Sequence, residues 1–394
     1  MFRLFLPSFL LVSAAGLMAA DIHVGRDVPT IAQAIKAAQP GDTIHLETRV
    51  YRDYAGFHGK KGLPGKPITL DGHGAVLEGS DPADPSQWRE VAPGLFEAED
   101  LLPRLDAAIL GRWFFRIHGR MQHMGRTSKG LHAPFKKPEE LQPGEWTFVQ
   151  DAAREKPPSK QVFGSFFIRL APGVKLTEAD ISVPVRSAGV QMSGENAHLV
   201  IRNLTATHPY NDGFNIHGDC RDVLFENIRA IECGDDGISA HETAEYRVEG
   251  FVSLGNSTGI CDTVAAKTSY NRVFIADCIG YDLFFLDEGR YKLSNAIVLS
   301  SAQNPFVVTG REGKRCELEV DNVLFRRVGP TKPALITSTA VLNGRRLTLE
   351  NIEFDARGSL EVAGQAELEA ILTAMGDEMR REVLARLKQG RSAP

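Results

Sequence analysis

The chain has no run of basic residues, and past its first 20 residues it has no apolar segment long enough to cross a membrane. Its 45 basic and 50 acidic side chains give a net charge of −5, and removing the first 20 residues, with Arg3, gives 44 − 50 = −6. Nucleic acids and anionic membranes bind basic surfaces, so we expect neither as a partner.

Cysteine is scarce, and no CxxC spacing occurs, which argues against a zinc site. The five cysteines are Cys220, Cys233, Cys261, Cys278 and Cys316, so at least one is unpaired. We interpret them as small buried apolar residues. A disulfide between Cys220 and Cys233 remains an alternative for an exported chain.

Residues 1–20 have the pattern of a secretory signal peptide: Arg3, an apolar run through Leu17, and the small residues Ala19 and Ala20. We therefore expect a soluble protein that is secreted or lies in the periplasm or cell envelope.

A motif of five residues recurs between positions 189 and 263. GVQMS, GFNIH, GISAH and GICDT begin at Gly189, Gly213, Gly237 and Gly259, at spacings of 24, 24 and 22 residues. The first three alternate apolar and polar residues after the glycine, as strands do. Such a short period predicts a solenoid of stacked coils.

A second pattern supports the solenoid, with apolar residues at offsets 0, 2 and 5 and a turn residue at offset 4. Its seven predicted copies begin at Leu199, Val223, Tyr246, Val273, Tyr291, Leu318 and Leu347. The turn position holds Asn, Asp or Gly each time, the residues that best tolerate a left-handed backbone. We expect residues 187–358 to form these coils.

The predicted solenoid is flanked by helices. Thr30 and Gln33 suit a capping box before an apolar helical face, so residues 21–80 should hold a capping helix and the first strands. Residues 359–394 should carry a second helix, at 365–388. We expect it to cap the last coil, with a partner-binding arm as the alternative.

The first helix, followed by PGDTIHL and GKPITLDGHGAVLEG, resembles the start of the pectin-lyase-like, right-handed parallel β-helix proteins. Many of these act on polysaccharides. The resemblance covers the start of the mature chain and residues 187–354. It implies an all-β chain that forms a right-handed parallel β-helix.

Residues 81–186 lose the coil period and predict a small β-rich insertion containing all three tryptophans. EELQPGEWTF with FIRLAPGV resembles modules inserted in some β-helix glycosidases. The insertion would be a wall or lid over a sugar groove, with Trp113 or Trp146 as a stacking platform. For any single tryptophan, however, packing of the ring in a core is the favoured interpretation.

Polar residues concentrate in the two middle copies of the glycine motif. Aligning the coils brings together the candidate catalytic residues, which are Asp212, Asp235, Asp236, His217 and His241. Neighbouring carboxyls cannot all ionise freely, and a protonated acid beside a carboxylate is what cleavage of a glycosidic bond requires. We expect Asp212 to be the acid and Asp236 or Asp235 the base or nucleophile.

The residues NDGF and GDDG also resemble the polygalacturonase pattern, in which Asp212, Asp235 and Asp236 match the three acids of that family. The central Thr, the following Gly-His-Gly and the later Arg-x-Lys of that pattern are absent. The substrate and the inverting mechanism of that family therefore do not carry over.

The sequence favours an exported glycoside hydrolase, acting as a monomer on a polysaccharide or oligosaccharide without a cofactor. Candidate substrate-binding residues are Asn211, Asn215, Lys267, Arg272 and Trp146. A polysaccharide lyase acting on uronates is the alternative enzyme; it would use cations such as Lys267 and Arg272, or Arg290 and Lys292, with calcium possible. A non-catalytic glycan-binding or envelope protein is the third hypothesis. The spacing supports no metal site.

Overall fold

The computed structural model describes residues 19–389 apart from 131, 157, 330–332 and 337–338. Residues 1–18 of the predicted signal lie outside this part. The helices are α1 (Ile31–Ala37), α2 (Ala107–Gly111), α3 (Leu368–Met375) and α4 (Asp377–Gln389). No helix within the described ranges is long and apolar enough to span a membrane.

The strands before and within the insertion are β1 (Asp21–His23), β2 (Thr43–His45), β3 (Val50–Tyr51), β4 (Ala55–His58), β5 (Ile68–Glu78), β6 (Ser80–Pro82), β7 (Arg89–Ala92), β8 (Leu95–Glu99), β9 (Phe115–Ile117), β10 (Arg120–Gln122), β11 (Trp146–Gln150), β12 (Gly164–Arg169) and β13 (Ser182–Pro184).

The strands after it are β14 (Val190–Ser193), β15 (Asn196–Thr207), β16 (Phe214–Ile216), β17 (Cys220–Ile231), β18 (Asp236–Ala240), β19 (Glu245–Leu254), β20 (Thr258–Asp262), β21 (Lys267–Ala276), β22 (Tyr281–Leu286), β23 (Arg290–Ser300), β24 (Asn304–Thr309), β25 (Cys316–Arg327), β26 (Ala334–Ile336), β27 (Ala340–Gly344), β28 (Leu347–Glu350), β29 (Phe354–Ala356) and β30 (Ser359–Val362).

Two parallel sheets form the body of the protein. Sheet A has 13 strands in the order β1-β2-β5-β15-β17-β19-β21-β23-β25-β27-β30, with β3 paired to β5 and β28 paired to β25. Sheet B has nine, in the order β29-β26-β24-β22-β20-β18-β16-β14-β4. From β14 to β25 successive strands alternate between the sheets, so the chain winds in coils. The predicted parallel β-helix is confirmed.

The glycine motif lies in sheet B in the predicted register. Gln191 pairs with Asn215, Asn215 with Ser239, and Ser239 with Cys261. The alternate positions point inwards, where side chains such as Ile238 are fully buried. Residues at equivalent positions of successive coils therefore lie in columns along the stack of coils.

The second pattern lies in sheet A, but two of its seven predicted copies are wrong. Tyr246 pairs with Thr268 and Phe251 with Val273, so the fourth copy begins at Thr268, not at Val273. Its left-handed corner is Arg272, at φ 59°. Thr268 breaks the apolar pattern because its hydroxyl donates to a carboxylate inside the solenoid, that of Asp262.

The last copy is displaced in the same way. Leu318 pairs with Leu342, and Val323 pairs with Leu347. The seventh copy therefore begins at Leu342, and Leu347 occupies its third apolar position. The misassignment arose because Gly344 stands where the other copies hold an apolar residue.

At the N-terminal end, α1 closes the solenoid as predicted. Thr30 Oγ1 accepts a hydrogen bond from Gln33 N at 3.2 Å. Ile31, Ala34 and Ile35 are buried and join the core of the coils.

The insertion is an antiparallel module with its own core. Its sheets have the orders β10-β9-β13-β6 and β11-β12-β8-β7. Trp113 and Trp146 are 0% and 2% exposed among rings such as Phe115 and Phe166, and Trp146 Nε1 donates to Gln122 O at 2.5 Å. The prediction that Trp146 binds substrate is therefore wrong, because its ring belongs to the core of the module.

The C-terminal segment forms two helices that break at Gly376, where φ is 77°. Their apolar side chains, including Leu372 and Val383, pack on the outer face of sheet A against residues such as Phe274 and Ile297. They lie along the side of the solenoid, so the prediction that a single helix caps the last coil is wrong.

All five cysteines are buried and unpaired. Cys220 and Cys233 belong to the core of the coils, which agrees with their interpretation as small apolar residues.

The interior of the solenoid holds one acid in a nest of hydroxyl groups. The Asp262 carboxylate accepts from Thr268 Oγ1 at 2.5 Å and from Tyr270 Oη at 3.0 Å, and Asp262 is fully buried. Burial raises its pKa from 3.8 to about 7, although the hydroxyl donors oppose this.

Replacing Asp262 by Asn tests this environment. The unfolded chain loses the Asp262 proton near pH 3.8 and the folded chain near pH 7, so the free energy of unfolding of the wild type falls as pH rises through this window. The stability of the variant relative to the wild type should rise by up to about 1.4 kcal/mol per pH unit there. Urea unfolding at pH 4.5, 6 and 7.5 measures it, and a constant difference contradicts the assignment.

Candidate active site

Three aspartates meet where two neighbouring strands of sheet B begin. Asp236 is the first residue of β18, Asp235 precedes it, and Asp212 lies at the equivalent place before β16. Coil stacking thus brings together side chains that are 24 residues apart. They are 3%, 8% and 3% exposed, and each offers an oxygen within 4.8 Å of the others.

Asp212 is tied to the next coil by two hydrogen bonds. Its Oδ1 accepts from Asp236 N at 3.1 Å, and its Oδ2 accepts from Ser239 Oγ at 2.7 Å. Ser239 occupies an outward column of sheet B, as the sequence pattern predicted. The carboxyl of Asp212 is therefore held in one orientation against the outer face of the sheet.

The insertion supplies the positive charges that face these acids. Lys129 Nζ lies 2.6 Å from Asp235 Oδ1 and 2.6 Å from Asp236 Oδ1. Arg112 Nη1 donates to Asp235 Oδ2 at 3.1 Å, and its Nε donates to Tyr210 O. The site is thus built jointly by the coils and the insertion.

Lys129 is carried by residues 125–130, which we call the strap. Ser128 N donates to Ser257 Oγ at 3.0 Å, and the hydroxyls of Ser128 and Ser257 are 3.1 Å apart. The strap lies directly on the coil at Gly280, where an added Cβ would be 2.8 Å from Thr127 Oγ1 and 3.1 Å from Lys129 O. Glycine at 280 therefore permits this close approach.

Three carboxyl groups here face two cations, so one carboxyl lacks a compensating charge. Burial raises the pKa of Asp212 to about 6, with help from the charge of Asp235, and the same two causes raise the pKa of Asp236 well above its usual value. Burial also opposes ionisation of Asp235, but Lys129 and Arg112 outweigh it and lower that pKa to about 2. These shifts favour the ionised form of Asp235 and retention of a proton on the pair Asp212 and Asp236.

The two predicted histidines stack at the other end of the same strands. The rings of His217 and His241 are 4.1 Å apart between centroids and nearly parallel, at 2°. His217 Nδ1 lies 3.2 Å from Glu242 Oε2. Burial, and then the neighbouring His217, lower the pKa of His241 to about 4, so His241 is neutral at pH 7.

Two buried polar atoms beside the acids, Asn215 Oδ1 and Thr258 Oγ1, have no hydrogen-bond partner among the residues that the structure describes. Asn215 pairs with Ser239, and Thr258 pairs with Asp236. Unsatisfied buried polar atoms are rare and often mark functional sites. Of the predicted substrate-binding residues, Asn215 therefore lies at the site. The backbone of Asn211 also lies there, since its carbonyl accepts from Asp235 N at 3.0 Å.

The predicted cationic residues lie elsewhere. Lys267 and Arg272 belong to β21 of sheet A, whereas the acids border sheet B. Lys267 is exposed, and Arg272 Nη2 donates to Glu249 O at 3.1 Å. Assigning these two residues to substrate binding beside the acids is therefore wrong. Arg290 and Lys292, proposed for the lyase, are in β23 of the same sheet A.

Within the described residues, the three acids are the group whose spacing suits a metal ion. Lys129 Nζ occupies the place of such a cation, because it contacts an oxygen of both Asp235 and Asp236. The protein thus provides a positive charge of its own at this point.

Sequence reasoning missed Lys129 and Arg112 because nothing in residues 81–186 repeats. The contacts of Lys129 with the acids join residues more than 100 positions apart. The weak local sign was RTSKG, a lysine between Gly125 and Gly130 in a segment without strand alternation.

Replacing Lys129 by Met should destabilise the fold by about 3–5 kcal/mol near pH 8, because it leaves buried carboxylates uncompensated. The loss should shrink near pH 4, where those carboxyls can take up protons. Thermal and urea unfolding measure it. Lys136→Met is the matched control, because Lys136 pairs at 2.6 Å with Glu145 on the surface of the same module and should contribute at most about 1 kcal/mol. Equal effects of the two changes would contradict the role of Lys129.

No protein-family model matches the chain, and no curated protein does. Among solved structures the chain is similar to XylC in complex with xylose, at 12% identity and a TM-score of 0.52, over 84% of this chain and 70% of that one. It also matches the pectate lyase Pel9A, at 11% identity and a TM-score of 0.37, over 93% and 87%. The likeness to XylC and the strand order show the fold alone, which is a right-handed parallel β-helix.

Proposed function

We propose that the protein is an exported glycoside hydrolase that cleaves an oligosaccharide or polysaccharide at Asp212, Asp235 and Asp236. The meeting of three buried carboxyls with only two cations from the described residues carries this proposal. A buried carboxyl that stays protonated beside an ionised one supplies both the acid and the base or nucleophile that glycoside cleavage needs. The similarity in fold to a protein solved with bound xylose also supports a carbohydrate substrate.

The charges around the three acids indicate the role of each acid in the reaction. Asp235 is neutralised by Lys129 and Arg112, so it is a weak base and holds the site together. Asp212 and Asp236 share the proton, and they are the acid and its partner. Burial raises the pKa of both carboxyls, so either can hold the proton, and the expectation from sequence that Asp212 is the acid stays a prediction.

The strap controls access in this proposal. The acids are at most 8% exposed beneath Lys129, so the sugar reaches them when the strap moves away from Ser257. Withdrawal of Lys129 also removes a positive charge from Asp236.

The lyase hypothesis loses its main support. It needs a free cation for the uronate carboxylate and a base for the α-proton. Lys129 is bound to the carboxyl groups of Asp235 and Asp236, whose charge raises its pKa well above the usual value despite its burial, so it stays protonated and is a poor base.

The first test is sugar release from a panel of neutral and acidic polysaccharides. Wild type should release reducing ends without new absorbance near 235 nm, the signal of unsaturated lyase products. Asp236→Asn should lower kcat by about 10²–10⁴-fold, as loss of a general acid or of its base partner does. Asp262→Asn is the matched control: it also removes a buried carboxyl in sheet B, but one that faces the interior, and it should keep activity. Absorbance at 235 nm, or equal losses in both variants, would overturn the proposal.

The pH dependence of kcat/KM gives an independent check. One carboxyl of the pair must be ionised and the other must hold its proton, so kcat/KM should follow a bell-shaped pH profile with one limb near pH 6, the pKa of Asp212. A rate that keeps rising to pH 9 would rule out a carboxyl donor.

A disulfide can test the movement of the strap. The hydroxyls of Ser128 and Ser257 are 3.1 Å apart, so Ser128→Cys with Ser257→Cys should form a bridge under oxidation. The oxidised double variant should lose activity and recover it with reductant, while each single variant stays active in both conditions. Full activity with the bridge formed would show that the strap need not open.

A further inference from the structure

Two aromatic rings lie on the outer face of sheet B beside the acids. Tyr281 and Phe284 are both partly exposed, and their centroids are 4.5 Å apart at an angle of 41°. Their strand, β22, pairs with β20, which in turn pairs with β18. Tyr281 therefore stands in the column of Asp236, two coil spacings or roughly 10 Å away.

The surroundings of these rings form a shallow apolar floor with polar edges. Phe284 pairs with Cys261 on one side and with Val307 on the other, and both neighbours are largely buried. Asn304 pairs with Tyr281, and its amide nitrogen lies close to Gly130 of the strap. The floor thus runs from the strap across β22.

The charges next to the floor are neutralised. At the strap end, Lys129 binds Asp235 and Asp236. At the far end of β22, Arg311 binds both oxygens of Asp287 at 2.7 Å and donates to Thr263. A uronate on the floor would meet no uncompensated cation from either residue.

We propose that Tyr281 and Phe284 form a sugar-binding platform that takes a neutral pyranose unit of the substrate. A pyranose ring presents C–H groups on its faces, which pack on aromatic rings, and its hydroxyls reach polar groups at the edge. The position relative to the cleaved bond rests on the proposed function, but the binding itself does not. The platform takes the role that sequence analysis gave to Trp113 or Trp146.

The platform also accounts for the place of the strap. With the strap closed, Tyr281 lies 4.0 Å from the position of a Cβ on Gly130, so the strap covers one side of the ring. A side chain at position 130 would fill the space between the strap and the ring of Tyr281. A sugar on the platform therefore lies at the edge of the strap, on the route to the acids.

The test measures binding by isothermal titration calorimetry in an Asp236→Asn background, so that the ligand stays intact. The probes are xylotetraose, cellotetraose and tetragalacturonate. At least one neutral probe should bind, and tetragalacturonate should bind more weakly. Tyr281→Ala and Phe284→Ala should each weaken neutral binding by up to about tenfold, and Tyr281→Phe should restore most of it. Tyr54→Ala, an exposed aromatic at β4 five strands away, is the matched control.

The outcomes separate this proposal from the enzyme assignment. Neutral binding that Tyr281→Ala leaves unchanged, or tighter binding of tetragalacturonate, overturns the platform even if wild type cleaves sugars. Binding that depends on Tyr281, in a protein that cleaves none of the polysaccharides, supports the platform and overturns the hydrolase. Circular dichroism and unchanged melting temperatures confirm that each variant is folded.

Discussion

Stacking of the coils in register is the constraint on which the rest of this structure depends. Neighbouring strands lie about 4.8 Å apart, so a residue is repeated in space wherever the chain repeats its period. This places Asp212 beside Asp236 and His217 against His241. The same repetition that satisfies the backbone hydrogen bonds would put like charges side by side, and the fold must then compensate for them.

The structure stabilises its buried acids in two different ways. Inside the solenoid, Asp262 is surrounded by hydroxyls of the coils themselves, and its raised pKa keeps it largely uncharged at mildly acidic pH. Outside, Lys129 and Arg112 reach the acids from a module with a separate core. In the first arrangement every partner belongs to the coils. In the second the partners belong to the insertion, so the charge balance of the acids depends on where the insertion lies.

The sequence was sufficient to predict the parts of the structure that repeat along the coils, but not the parts that lack a repeat. The glycine motif predicted the register of β14, β16, β18 and β20, and hence the meeting of the three aspartates. The sheet A pattern predicted the wrong residues for two copies. One contains Thr268, a polar residue that donates a hydrogen bond inside the solenoid, and the other contains Gly344, which has no apolar side chain. Lys129 could not be found, because no periodicity relates the insertion to a particular coil. Trp146 was misjudged since composition does not distinguish a core ring from an exposed one.

The contrast between the two kinds of acid also bears on function. A purely structural ion pair would match charges, and a buried group left unmatched is expensive. Around Asp235 the match is good, with two cations on one carboxylate. Asp212 has instead a hydroxyl and a backbone amide as partners, and Asp236 shares the lysine. An anchor for the insertion needs only Asp235. The two further carboxyls, with Asn215 Oδ1 and Thr258 Oγ1 left without partners beside them, exceed what anchoring requires. A bound substrate would provide partners for these groups, because its hydroxyls can hydrogen-bond to the free polar atoms and its leaving oxygen can receive a proton from a carboxyl.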